Sequence, residues 1–134
     1  MKTIIPNKLQ SGDEIRVIAP ARSLSLLSEE NINIAKESIE AQGFKVTFSK
    51  NCREADIFIS SSINSRVEDI HEAFEDKNVK AIFTVIGGFN SNQLLKYLDY
   101  NLIKNNPKIL CGYSDITALA NAITAKTGLI TYSG

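Results

Sequence analysis

The stretch KILCGYSDITALANAITAKTG, residues 108–128, decides the fold. It begins as a short apolar strand, and the apolar residues after Asp115 recur at the three-four spacing of a helix that ends at Gly128. A strand that turns sharply into a helix holds Ser114 at the carboxyl end of a sheet, beside the free N–H groups of the helix. This is the position in which a nucleophilic serine works.

Strand-like and helix-like patterns alternate along the rest of the chain. The segment AIFTVI, residues 81–86, is continuously apolar, which is typical of a strand buried on both faces of a parallel sheet. We therefore predict an α/β fold with a doubly wound parallel sheet and helices on both faces, formed by one domain over residues 1–134. Strands are predicted at residues 14–19, 44–48, 81–86, 108–111 and 129–132, and helices at 28–42, 65–76, 94–98 and 115–126; residues 51–64 have no clear pattern.

The second predicted helix is the best defined. Ser65 and Glu68 form a capping box, and Arg66 between them is interpreted as a solvated residue. The only histidine, His71, lies on the apolar stripe of this helix and is interpreted as a hydrogen-bonded core residue, not a catalytic base. In the first helix the predicted buried face comprises Ile32, Ile34, Ala35 and Ile39.

Composition excludes several classes of partner. Fifteen basic and fifteen acidic side chains cancel, so nucleic acid and membrane surfaces are not expected partners. No apolar run has the length of a signal peptide or a membrane span, which predicts a cytoplasmic protein. Cys52 and Cys111 show no metal-ligand spacing and are not expected to form a disulfide, and neither a metal nor a cofactor is predicted.

A second loop follows a predicted strand at the same sheet edge. The sequence Gly87-Gly88-Phe89-Asn90-Ser91 comes directly after residues 81–86, and its glycine pair can adopt positive φ and approach a substrate closely. The N–H groups of Gly88 and Asp115 are the predicted oxyanion donors for an acyl-transfer reaction at Ser114.

Each motif also has a simpler explanation. Glycine pairs often form turns, and Ser114 or Asp115 could merely cap the following helix. Ile116 stands where a Gly-x-Ser-x-Gly elbow carries its second glycine, so an ordinary α/β-hydrolase is excluded.

Four segments carry a resemblance to a known family. The sequences VKAIF (79–83), GGFNSN (87–92), LLKYLDY (94–100) and GYSDITAL (112–119) resemble the LD-carboxypeptidase family of serine peptidases, family S66. Within it, SSSI (60–63), SRVED (65–69) and GGFNS (87–91) are most similar to the microcin C immunity branch.

The resemblance implies a two-domain, homodimeric enzyme with a Ser-Glu-His triad. This chain resembles its Rossmann-like or flavodoxin-like N-terminal domain, with Ser114 as the nucleophile, and the glutamate and histidine are expected in a C-terminal domain beyond Gly134. The implied substrate is a murein peptide with an L,D bond or a microcin C-type aminoacyl nucleotide, contacted by Gly87, Phe89 and Asn90. The isolated chain is expected to be inactive.

Two other functions remain open. A Rossmann-like domain could bind a nucleotide or phosphate without catalysis. However, Pro20-Ala21-Arg22-Ser23 follows the first strand in place of a Gly-x-Gly-x-x-Gly loop, and no P-loop pattern occurs. The chain could also be an inert structural half that exposes apolar surface and self-associates.

Overall fold

A computed structural model describes all residues, 1–134, and shows a parallel four-stranded sheet. The sheet contains β1 (Glu14–Ile18), β2 (Lys45–Phe48), β3 (Val79–Thr84) and β4 (Ile109–Cys111), in the order β2-β1-β3-β4. The helices are α1 (Glu29–Ala41), α2 (Ile63–Glu75), α3 (Tyr100–Asn105) and α4 (Ile116–Thr127). The predicted parallel α/β architecture is confirmed.

The two faces of the sheet are covered unequally. Helices α2, α3 and α4 bury the main core on one face, centred on Phe74, Ile82, Leu110 and Ile123. Helix α1 packs on the other face, where only Ile32 is buried and Ile39 is half-buried. The prediction that Ile34 and Ala35 belong to this buried face is wrong: both are exposed, because α1 lies along the edge strand β2 and contacts the sheet with a narrow stripe.

Helix α2 begins earlier than predicted. The hydroxyl of Ser62 accepts a hydrogen bond from the N–H of Ser65 at 3.0 Å, so Ser62 is the N-cap and the predicted Ser65–Glu68 capping box is wrong. The interpretation of Arg66 as solvated is also wrong. Its side chain turns inward, where the residue is 3% exposed, because surrounding backbone oxygens satisfy its guanidinium.

Two predicted elements differ in the second half of the chain. The segment after Asn90 forms a short 3-10 turn, Ser91–Leu94, and the α-helix in this region is α3, whose N–H groups are capped by Asp99. Residues 129–132 do not form the predicted last strand. They make two isolated parallel bridges, Leu129 to Ile4 and Tyr132 to Cys111, because the segment changes its pairing partner along its length.

The strand order determines where the loops meet. The chain winds from β1 to β2 on one side and then crosses to β3 and β4 on the other, so the loops after β1 and β3 diverge at adjacent strand ends. Such a switch point opens a crevice at the carboxyl edge of a parallel sheet. None of the helices is long and apolar enough to cross a membrane.

Candidate active site

Ser114 lies on the tight turn between β4 and α4 in a left-handed backbone conformation. Its φ is +62°, a value that non-glycine residues adopt at a cost in free energy, and its side chain is exposed. Gly112 makes the turn possible: a methyl group there would lie 2.3 Å from Oγ1 of Thr84 and 2.8 Å from Cγ2 of Ile116. The β4–α4 turn therefore has the backbone strain of a nucleophile elbow without its second glycine.

The two predicted loops meet at Gly87. A methyl group on Gly87 would lie 3.0 Å from Oγ of Ser114 and 3.7 Å from the backbone N of Asp115. The expectation of positive φ at the glycine pair is wrong, since neither Gly87 nor Gly88 has one. The pair is needed for close approach instead, because a side chain at Gly87 would displace the serine hydroxyl.

The two predicted oxyanion donors are both available. Neither the N–H of Gly88 nor that of Asp115 donates a hydrogen bond to any acceptor in the chain. Asp115 immediately precedes α4, so its N–H is among those that a helix leaves without an internal partner. Both groups can therefore donate to a bound ligand.

The side chain of Asp115 joins the two loops. Its Oδ2 accepts from the N–H of Ser91 at 2.9 Å, and its carbonyl oxygen accepts from the Ser91 hydroxyl at 2.8 Å. The alternative that Ser114 or Asp115 caps the helix is wrong, because neither side chain bonds to a helix N–H. The carboxylate of Asp115 instead fixes the position of the glycine loop.

The buried side chain of Arg66 also contacts the glycine loop after β3. Its guanidinium donates to the carbonyl oxygens of Ser61 at 2.9 Å and of Pro20 and Asn90 at 3.2 Å each, and to Oε1 of Gln93 at 2.8 Å. Burial lowers the pKa of Arg66, and no carboxylate forms a salt bridge with it. The loop after β3 is thus anchored at both Asn90 and Ser91.

The predicted substrate-binding residues lie in different surroundings. Gly87 lines the cleft at Ser114. Asn90 is buried, and its Nδ2 donates to the Ser60 hydroxyl at 2.8 Å, so its side chain supports the loop. Phe89 is 63% exposed and packs edge-on against Phe58, with ring centroids 6.4 Å apart.

A cleft of about 250 Å³ contains the hydroxyl of Ser114. It is lined by Arg22, Thr84, Val85, Ile86, Gly87, Gly88, Tyr113 and Ser114, none of which is acidic. His71 is not part of it: Nε2 of His71 accepts from the N–H of Asp99 at 2.9 Å, and burial lowers the pKa of the imidazole. The chain has no cluster of three His, Cys, Asp or Glu side chains able to hold a metal.

Sequence reasoning missed the roles of three residues: Arg22, which lines the cleft, and Arg66 and Ser91, which hold the loop after β3 in place. Arg22 follows β1 at the same carboxyl edge as the two recognised loops, and this position could have identified it. The contacts of Arg66 and Ser91 join segments that are distant along the chain, and no local pattern indicates them.

Comparison with known proteins gives the family. The model of the LD-carboxypeptidase N-terminal domain, Peptidase_S66, matches residues 15–134. The chain belongs to the LD-carboxypeptidase family. This family includes murein peptide carboxypeptidases and the microcin immunity protein MccF, and the chain covers only its N-terminal domain.

Curated relatives of the LD-carboxypeptidase family match almost all of this chain but less than half of their own lengths. "Putative carboxypeptidase YocD" of Bacillus subtilis is 61% identical over 96% of the chain and 39% of the relative. The microcin C7 self-immunity protein MccF of Escherichia coli is 37% identical over 94% of the chain and 37% of the relative.

Solved structures of the LD-carboxypeptidase family share the fold in detail. The crystal structure of an MccF-like protein from Bacillus anthracis has a TM-score of 0.98 and 63% identity, over 98% of this chain and 40% of that one. MccF in complex with aspartyl sulfamoyl adenosine has a TM-score of 0.90 and 36% identity, over 96% of this chain and 38% of that one.

Proposed function

We propose that this chain is the nucleophile-bearing domain of a serine-type carboxypeptidase or amidase. The observation that carries the proposal is the strained Ser114, which lies against Gly87 in a cleft and whose hydroxyl is unpaired. The neighbouring residues Gly88 and Asp115 do not use their N–H groups within the chain. In the proposed reaction Ser114 attacks an amide carbonyl, the N–H groups of Gly88 and Asp115 stabilise the oxyanion, and water releases the acyl group.

Activation of Ser114 requires a base from outside residues 1–134. A serine hydroxyl needs a neighbouring base within hydrogen-bond reach, and Oγ of Ser114 has no hydrogen-bond partner in this chain. His71 already accepts from Asp99. We therefore assign the base and its orienting carboxylate to a further domain of the whole protein, and expect the isolated chain to be inactive.

The names and ligands of relatives support two proposed substrates. A Bacillus subtilis relative, 36% identical over 96% of this chain, is named a probable murein peptide carboxypeptidase, and MccF has been solved with aspartyl sulfamoyl adenosine. The proposed substrates are accordingly a murein peptide with a terminal L,D bond or an aminoacyl nucleotide. Phe89 is exposed, follows Gly88 of the cleft in the chain, and is proposed to contact the substrate. The whole protein is proposed to be a cytoplasmic homodimer.

A mass-spectrometric hydrolysis assay tests this proposal. The whole protein and the 134-residue chain are compared, each with its Ser114→Ala variant, on a murein tetrapeptide and on aspartyl sulfamoyl adenosine. We expect Ser114-dependent hydrolysis of at least one substrate by the whole protein and none by the isolated chain. Tight binding without turnover by the whole protein would instead favour a nucleotide-binding module, and turnover by the isolated chain would show that it contains its own base.

A further inference from the structure

Arg22 is fixed against the glycine loop of the cleft. Its Nε donates to the carbonyl oxygen of Gly87 at 3.1 Å. A methyl group on Gly88 would lie 3.1 Å from Cγ of Arg22 and 3.2 Å from Cβ of Ala21, so the absence of a side chain at Gly88 allows the arginine stem to pack closely. The guanidinium is therefore positioned before any ligand binds.

The terminal nitrogens of Arg22 have no partner, which distinguishes it from the other three arginines. Arg16 is paired with Glu14, Glu72 and Asp76, Arg53 is paired with Glu29, and the Arg66 guanidinium donates to four oxygens. Nη1 and Nη2 of Arg22 donate to no oxygen in the chain, and the cleft that Arg22 lines contains no acidic residue. The half-buried guanidinium thus leaves two parallel donors free for an anion.

Arg22 and Ser114 contact the same residue. Gly87 accepts the Arg22 hydrogen bond with its carbonyl oxygen, while its Cα side faces Oγ of Ser114, 3.0 Å from where a methyl group would lie. Arg22 and Ser114 also line the same cleft of about 250 Å³, so a ligand whose carbonyl carbon lies at Ser114 can extend past Gly87 to the guanidinium. Planar, bidentate binding of a carboxylate is the geometry that arginine favours.

We propose that Arg22 binds the anionic group on the leaving-group side of the scissile bond. This inference rests on the proposed function and deepens it by assigning recognition of the substrate anion. The shared chemistry is an anionic oxygen group, supplied either by the terminal carboxylate of a peptide or by the sulfamate or phosphate of an aminoacyl nucleotide. Arg22 forms no covalent bond in this role and transfers no proton.

The test compares charged and neutral forms of one ligand. In the whole protein, Arg22→Gln and Arg22→Lys are measured on a murein tetrapeptide with a free terminal carboxylate and on the same peptide with a terminal carboxamide. Arg22→Gln should lower kcat/KM for the acid by about 10- to 100-fold, mainly through KM, and change the value for the amide by about twofold or less. Arg22→Lys should recover part of the loss, because it keeps the charge without the planar fork.

The controls separate this inference from the proposed function. Arg53→Gln removes an arginine from an exposed pair and should leave both peptides unaffected. The same Arg22 variants are also measured on aspartyl sulfamoyl adenosine. Comparison of the two substrates shows whether Arg22 binds the sulfamate of the nucleotide, the terminal carboxylate of the peptide, or both. If Arg22→Gln lowered kcat/KM equally for the acid and the amide peptide, or lowered it for neither anionic substrate, the role of Arg22 would be overturned. The proposed hydrolase function would still stand.

Equilibrium binding keeps the inference testable without turnover. If the whole protein hydrolyses nothing, the proposed function fails, and calorimetry on the Ser114→Ala background then measures binding of the acid and amide peptides directly. Preference for the acid that disappears in the Ser114→Ala, Arg22→Gln double variant supports the anion site. Equal affinity for the two peptides contradicts it.

Discussion

Ser91 and Asp115 are joined by two hydrogen bonds that run in the same direction. The N–H of Ser91 donates to Oδ2 of Asp115, and the Ser91 hydroxyl donates to the Asp115 carbonyl oxygen. The pair ties the loop after β3 to the turn after β4, so the two loops form one hydrogen-bonded unit.

Replacing Ser91 with alanine should loosen this unit. Ser91→Ala removes the hydroxyl bond and keeps the N–H bond, so the free energy of unfolding should fall by about 1 kcal/mol. Urea denaturation measures the change. The matched control is Ser38→Ala on the exposed surface of α1, expected to stay within about 0.5 kcal/mol of the original. Equal values for the two variants would show that the Ser91–Asp115 contact contributes nothing to stability.

Arg66→Lys should be far more destabilising than its conservative appearance suggests. A lysine keeps the buried charge, but its single ammonium group cannot replace a planar fork that donates to four separated oxygens. We expect a loss of about 2–4 kcal/mol in the free energy of unfolding. Arg53→Lys, in the exposed pair with Glu29, should cost less than about 1 kcal/mol in the same denaturation experiment.

Ser114→Gly should stabilise the fold relative to Ser114→Ala. Both variants remove the hydroxyl, but only glycine adopts a φ of +62° without steric cost. After allowance for the greater freedom of glycine in the unfolded chain, the difference should be about 0.5–1 kcal/mol in favour of glycine. Urea denaturation of the two variants side by side measures it. Identical midpoints would mean that the turn stores no strain at Ser114.

Lys108 should make stability depend on pH in the alkaline range. Burial lowers the pKa of Lys108 to about 8, although the negative charge of Asp76 acts to raise it. Its ordinary pKa in the unfolded chain is near 10.5, so between these values the unfolded chain binds more protons and stability rises with pH.

Comparison with Lys108→Met isolates this contribution. Between pH 7.5 and 9.5 the free energy of unfolding of the original chain should rise by about 1–2 kcal/mol relative to that of the variant. Each pKa unit corresponds to about 1.4 kcal/mol. Other groups titrate in both proteins and cancel in the difference. A difference that stays constant with pH, or that falls, would contradict a lowered pKa for Lys108.

The fold was predictable because its signals are local. Apolar runs, and the apolar-polar alternation of residues 44–48, predicted all four strands of the sheet. Helical spacing predicted the helix closed by Gly128, whose φ is +80°. The position of Ser114 after β4 was equally visible, because a strand end followed by a helix start is a pattern of adjacent residues.

The missed features depend on distant parts of the chain. Arg66 is buried because oxygens from three separate loops surround it, and helical spacing alone cannot indicate them. The left-handed backbone of Ser114 occurs in a turn where Thr84, from a different strand, packs closely against Gly112. In the same way, the last segment pairs alternately with Ile4 and Cys111, which no pattern within residues 129–132 reveals.

The strand order β2-β1-β3-β4 has a consequence for how specificity can change. Arg22 is carried by the loop after β1 and Ser114 by the turn after β4, with β3 between them. In the proposed role of Arg22, insertions or substitutions around it would change which leaving group is accepted without rebuilding the turn that holds Ser114. The proposed anion site and the proposed nucleophile thus lie on separate loops, and the loop after β1 is the first segment to randomise in redirecting this domain to a new anion.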